Sequence, residues 1–147
     1  MSIYDVFNGG SKPFDKAEWA AQKQAQRKEA YELIDNTCSE MMISGDSFRQ
    51  YLDVQGRFDR YSVANAILVS AQMPEATQLK DYNTWKQSRV YVNKDAQKVV
   101  ILEPSKEYTR EDGSKAVGYN AKEVYDISET SAKDRQEAQE KKSMREL

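Results

Sequence analysis

Not one of the 147 residues is a histidine. That absence removes imidazole general bases, His–Ser and His–Cys nucleophile pairs and the usual zinc sites. Cysteine is nearly missing too. Cys38 stands alone, so no intrachain disulfide can form and nothing favours an oxidising compartment. Its position on the apolar face of a predicted helix reads as a buried, inert thiol. The six glycines are scattered and build no phosphate loop, and no Ser-x-x-Lys pair replaces a Ser–His arrangement. No run approaches the ~18 apolar residues of a membrane span, and Met1-Ser2-Ile3-Tyr4-Asp5 is no signal peptide. The expectation is a cytosolic protein with no membrane partner, metal, cofactor or catalytic site. A magnesium-dependent nuclease or acid-only hydrolase is disfavoured, because the carboxylates are evenly mixed with Lys and Arg, as on solvated helix faces.

A charge excess is also lacking. Twenty-two basic residues against 24 acidic ones leave −2, so any contact with nucleic acid must come from a local patch. What the chain does have is the length of one ordinary domain, 39% hydrophobic residues and nine Tyr, four Phe and two Trp. Those large side chains suffice for one core with several left over.

Residues 1–14 read as an extended lead-in, blocked by Gly9-Gly10 and Pro13. A long helix of up to about 28 residues should then start at Asp15, with Glu18 as in a capping box and Phe14 and Trp19 as a hydrophobic staple. Ala30, Ile34, Cys38, Met41 and Met42 form its apolar face, and its polar first half should stand clear of the core. A second helix after Asp46 carries Phe48, Tyr51, Leu52, Gln55 and Phe58 on one stripe. A third starts at the cap Ser62 and stops before Pro74, and a short turn of helix spans 82–87, capped by Asp81. From there the period becomes alternating. Val90-Tyr91-Val92 and Lys98–Leu102 should form a hairpin across Asn93–Ala96, and Glu107–Arg110 and Ala116–Tyr119 a second across Glu111-Asp112-Gly113-Ser114, before a last strand Lys122–Ile127. Helices first and hairpins second predict an α+β fold, with N-terminal helices packed against a small antiparallel hairpin-built sheet over residues 15–130. Residues 131–147 read as a polar linker or loose helix. They end in Ser-Met-Arg-Glu-Leu without a stop signal, so a further domain is expected beyond them.

Single-stranded DNA is held by cations that track phosphates and by aromatic faces on which bases stack. Residues 57–102 have that mixture. Arg57, Arg60, Lys80, Lys86, Arg89, Lys94 and Lys98 face only Asp59, Glu75, Asp81 and Asp95, so seven against four leaves a local excess of three. Phe58, Tyr61, Tyr82, Trp85 and Tyr91 are interleaved with them. For Phe58 and Trp85 the core reading is the stronger one, since aromatics at helical spacing are more often core than platform.

The same stretch carries a resemblance. Tyr61-Ser62-Val63-Ala64-Asn65-Ala66-Ile67-Leu68, then Ala71-Gln72, Pro74, Ala76-Thr77, Trp85-Lys86, a Val92-centred strand, Ile101-Leu102 with Pro104, and Val124-Tyr125-Asp126-Ile127-Ser128 follow in order from about 46 to 130. In this the chain resembles the N-terminal domain of antirestriction ArdC-type proteins, which conjugative plasmids, transposons and phages carry. The resemblance implies a domain that binds single-stranded DNA and that in longer relatives precedes a metallopeptidase-like domain with a His-Glu-x-x-His motif. It also departs from the pattern. Relatives tend to carry a Gly-Glu-Lys-Gly-like turn where this chain has Asn93-Lys94-Asp95-Ala96-Gln97-Lys98. Both glycines are lost, and with them a close backbone approach to phosphate, while Lys94 and Lys98 keep the charge.

Individual residues keep two readings at this point. Asn65 either bonds a base edge or satisfies the backbone of the Asp81–Trp85 turn. Tyr61 is a staple to Ala66 or a stacking face. Lys86 and Arg89 flank Trp85 and are exposed on any amphipathic reading, so they lead the cations. The expected interface is therefore Arg57, Arg60, Tyr61, Asn65, Trp85, Lys86, Arg89, Tyr91, Lys94 and Lys98. The expected function is largely sequence-independent binding of single-stranded DNA for a mobile element entering a cell. The alternative is a non-catalytic interaction module that positions a missing metallopeptidase-like domain or blocks a host restriction enzyme.

Overall fold

A computed structural model describes residues 14–133, and the expected lead-in through residue 13 and the tail beyond 133 lie outside them. The architecture is α+β. Three helices, α1 (Lys16–Ile43), α2 (Gly45–Arg57) and α3 (Val63–Gln72), precede β1 (Leu79–Lys80), α4 (Tyr82–Gln87), β2 (Lys98–Thr109) and β3 (Lys115–Asp126). The sheet is antiparallel with β3 central, in the order β1-β3-β2.

The start of α1 follows its sequence signals. The Asp15 carboxylate accepts from the backbone N–H groups of Ala17 (3.0 Å) and Glu18 (3.2 Å), and the Phe14 and Trp19 rings lie 6.5 Å apart. Its buried face differs from the expected one. Ala30 and Thr37 are buried with Leu33 and Ile34 beside them, whereas Met42 is 87% exposed and Cys38 is only half-buried. A single residue separates α1 from α2. Ser44 donates its N–H to the Glu40 carbonyl (2.9 Å), and its hydroxyl caps α2 by accepting from the Ser47 N–H (3.3 Å). Along α2 the inward stripe is Tyr51, Val54 and Phe58, which leaves Phe48 and Leu52 half-exposed.

Helix α3 sits along the outer edge of β2 and feeds cores on both faces of the sheet. Ala66, Val69 and Met73 join Val54, Phe58, Val99, Ile101 and Val124, while Leu68 joins Ala30 and Leu102. This is why five successive residues of so short a helix, Ala66 to Ser70, are buried.

The strands differ from the sequence reading. The four predicted segments from Lys98 to Ile127 are two strands of 12 residues, joined by a turn in which Gly113 takes φ 85°, a left-handed conformation natural to glycine. A bulge on β2 lies between Pro104 and Glu107. The expected hairpin between Val90–Val92 and Lys98–Leu102 does not form. Val92 makes a lone bridge to Thr130 instead. The physical reason lies in the edge of β2, where pairing groups at Val100 and Leu102 are already taken by side chains of α3. The packed domain continues past the expected boundary at residue 130, because Ala132 is buried against Trp85 and Val90.

Candidate nucleic-acid interface

Trp85 anchors the region that the sequence singled out. It is 2% exposed, its indole N–H donates to the Tyr125 carbonyl (2.9 Å), and the Lys80 ammonium lies 4.8 Å from its ring centroid. It offers no free face to a base, so the core reading of this residue is the one observed. Its burial fixes α4 against the sheet and so sets the position of the segment that leaves the helix.

The end of α4 is a Schellman motif. The Arg89 N–H donates to the Lys86 carbonyl (3.0 Å) and the Val90 N–H to the Trp85 carbonyl (2.9 Å), with Val90 and Trp85 in apolar contact. The pivotal position of that motif takes a left-handed backbone and is usually glycine. Here it is Arg89, at φ 59°, the one non-glycine residue with positive φ among the described residues. Its side chain is exposed, as are Lys86, Tyr91 and Lys94. The strand-like segment after it is held by Ser131, whose hydroxyl accepts from the Tyr91 N–H (3.0 Å) and whose N–H donates to the Tyr91 carbonyl (2.8 Å). Tyr91 is 58% exposed, so its ring is free while its backbone is fixed.

The other expected residues are committed elsewhere. Asn65 does not bond the 81–85 turn, and its amide is already taken. Its amide donates to the Leu102 carbonyl and accepts from the Leu102 N–H, both at 2.8 Å. Gln72, two turns on, does the same at Val100 (2.8 and 2.9 Å). Two carboxamides thus stand in for a missing neighbour strand along β2. Arg57 donates to the carbonyls of Pro74 and Ala76, which ties the end of α2 to the loop after α3. Tyr61 is half-buried against Phe58, with ring centroids 4.9 Å apart, and burial pushes its phenol pKa up. It packs there rather than serving as an exposed stacking face. Lys98 pairs with Glu123 (3.1 Å). Arg60 is exposed at the turn before α3.

Five of the ten expected residues are exposed and make no side-chain hydrogen bond or ion pair among the described residues: Arg60, Lys86, Arg89, Tyr91 and Lys94. The last four lie in order along the α4–Val92 segment and the turn after it. Gln72 was missed, although a second carboxamide two turns from Asn65 in an otherwise apolar helix was a usable signal. Asp126 holds the far side of this region. One carboxylate oxygen accepts from the N–H groups of Thr77 (2.9 Å) and Gln78 (3.0 Å), the other from the Ser128 N–H (3.1 Å) and hydroxyl (2.6 Å). Burial pushes its pKa up, but those donors outweigh it and hold the carboxyl below its ordinary range.

Among the described residues, no three His, Cys, Asp or Glu side chains come together so as to hold a metal ion, and no helix is long and apolar enough to cross a membrane. Compared with protein-family models, with curated proteins and with solved structures, the chain finds no match in any of the three.

Proposed function

We propose that the chain binds single-stranded DNA, largely without regard to sequence, in the antirestriction context of a mobile element and without catalysing a reaction. One observation carries this reading. An exposed arginine occupies a backbone position where glycine costs nothing, and strain kept at a solvent-facing cation points to a use for that cation. Lys86 and Lys94 add charge on either side, and Tyr91 supplies a rigidly mounted aromatic face. That combination suits a flexible strand, whose phosphates and bases are separately accessible. A duplex offers no such faces. The test is a competition by fluorescence anisotropy, in which a labelled single strand of about 20 nucleotides is displaced by unlabelled single strand or duplex. Single strand should compete at least tenfold better. Equal competition, or a preference for duplex, defeats the reading.

A second reading, a non-catalytic interaction module, is favoured by a different observation. The distal half of the β2–β3 hairpin extends past the core, and Val117 and Tyr119 are about half exposed there on one face, with Tyr108 on the other. Such apolar surface marks a contact with another protein, of which a host restriction enzyme is one. Replacing Val117 and Tyr119 by Ser separates the two readings, because it should abolish protein capture and leave DNA affinity unchanged.

A further inference from the structure

The first half of α1 stands clear of the core as expected, with no buried residue before Ala30, but it does not stand free. Its Gln26 amide donates to Glu123 on β3 (3.0 Å), so the helix arches over the sheet. The inward stripe of α1 changes character along its length. Ala30, Leu33, Ile34 and Thr37 are apolar or small and packed, whereas Trp19, Lys23 and Arg27, at i, i+4 and i+8 of the same stripe, do not fill the space beneath them. What remains is a groove of 640 Å³ between those three residues and Glu103 of β2 with Asn120 and Ala121 of β3. That volume lies within the ~300–1,000 Å³ of ligand-sized clefts. Past Lys23 the groove continues into a second one, of 360 Å³, bounded by Tyr82 of α4. Tyr82 is 51% exposed and lies one helical turn before Lys86.

The charges in this groove are unequal in what they have left to give. Of the three acids along it, Glu103 pairs with Lys122 (3.2 Å) and Glu123 with Lys98 and Gln26, while Asp81, beside Tyr82, makes no ion pair among the described residues. Lys23 and Arg27 make no ion pair within 4 Å among the described residues. Trp19 at the mouth is 50% exposed. At the Trp19 end, an aromatic face, two cations without an ion pair and one carboxylate already paired with Lys122 suit an anionic ligand with planar groups. They suit an apolar peptide poorly.

We infer that the groove beneath α1 is a second nucleic-acid subsite, in which a single strand leaving Lys86 and Arg89 passes Tyr82, sets its phosphates against Lys23 and Arg27 and stacks a base on Trp19. The inference rests on the proposed single-strand binding and deepens it by giving the strand a path. It requires two separable parts, a short-strand site at Arg89–Tyr91 and an extension that only longer strands reach.

The experiment uses the full chain with oligothymidylates of about six and about 20 nucleotides. The two tryptophans are distinguishable, because Trp85 is buried and Trp19 half-exposed. The longer strand should quench the Trp19 emission, and the quench should vanish in Trp19→Phe. The pair Lys23→Glu with Arg27→Glu should weaken binding of the longer strand at least tenfold and leave the short strand nearly unaffected. Arg89→Ala should weaken both, and the buried Trp85 emission reports that each variant is folded. If the groove variants bind both lengths like the parent while Arg89→Ala does not, the subsite is wrong and single-strand binding stands. If polyglutamate quenches Trp19 as well as the oligonucleotide does, the groove takes acidic peptides and the nucleic-acid assignment fails. A parent chain that binds neither length overturns both.

Discussion

Replacing Arg89 by glycine should make the protein more stable and a poorer binder at once. At φ 59° an L-residue pays about 1–2 kcal/mol relative to right-handed backbone, because its Cβ crowds the carbonyl oxygen. Glycine removes that cost but loses about 0.5–1 kcal/mol through the greater freedom of its unfolded chain. The net gain should be about 0.5–1 kcal/mol, or roughly 2–4 °C in melting temperature for a chain of this size. Arg89→Ala is the matched control. Alanine keeps the Cβ and therefore the strain, so its stability should stay within ~0.5 kcal/mol of the parent. Both variants lose the guanidinium, and both should flatten the salt dependence of single-strand affinity by about 0.7 in log–log slope. Thermal unfolding by circular dichroism, with anisotropy titrations at several salt concentrations, reads both quantities. Identical melting temperatures for the Gly and Ala variants would show that the left-handed turn stores no strain. Unchanged affinity in both would remove Arg89 from the interface, and with it the main support for a binding role.

Three more substitutions probe single contacts. Asn65→Ala strands the N–H and carbonyl of Leu102 and should cost about 2–3 kcal/mol in urea unfolding. By opening the edge of β2 it should also promote self-association, visible by light scattering, and a monomeric variant of parental stability would refute the edge-capping role. Trp85→Ala should cost about 3–5 kcal/mol of stability, with binding lost only to the extent that the domain unfolds; a stable variant that loses affinity would instead make Trp85 a contact residue. Asp126→Asn concerns pH. Because the folded-state pKa of Asp126 is depressed, its contribution is present above the unfolded value of about 3.9 and disappears as pH falls through the lower folded value. The variant should therefore be less stable than the parent by about 2 kcal/mol at pH ~7, with the gap closing towards pH ~2. A gap independent of pH would mean that the carboxylate charge is not what those four donors hold.

The helices were legible because their signals are local. Asp15, Ser62 and Pro74 act within a few residues of themselves, and α1 and α3 begin where those residues require. The strands were less legible because pairing is decided by competitors far along the chain. Val90–Val92 has the composition of a strand, yet its expected partner edge is occupied by Asn65 and Gln72 from a helix about 30 residues earlier. The same long-range bond explains the misreading of Asn65. A polar residue in an apolar helix does need a partner, but the sequence does not say that the partner is a strand edge. For the candidate interface, exposure was correctly read at Lys86 and Arg89. Trp85 and Tyr61 could not be settled from spacing, since a stacking face and a core face look alike until tertiary packing covers one of them. Nothing in the sequence marked Arg89 as left-handed, because the motif it completes normally announces itself with glycine. The groove under α1 escaped for a related reason. Trp19 read as a staple at the helix start, and its ring does meet Phe14, but the space between it and β3 exists only once the sheet is folded beneath the helix.

The most direct measurement is the affinity of the purified chain for a single-stranded oligonucleotide as a function of salt. For a strand too short to reach Lys23 and Arg27, with phosphate contacts from Arg60, Lys86, Arg89 and Lys94, the log–log slope should be about −2 to −3, at roughly −0.7 per contact. Tyr91 should leave a residual affinity that survives extrapolation to about 1 M salt, because stacking is insensitive to counterions. A slope near zero, or no measurable binding at about 50 mM salt, would contradict single-strand binding and leave the exposed hairpin as the functional surface.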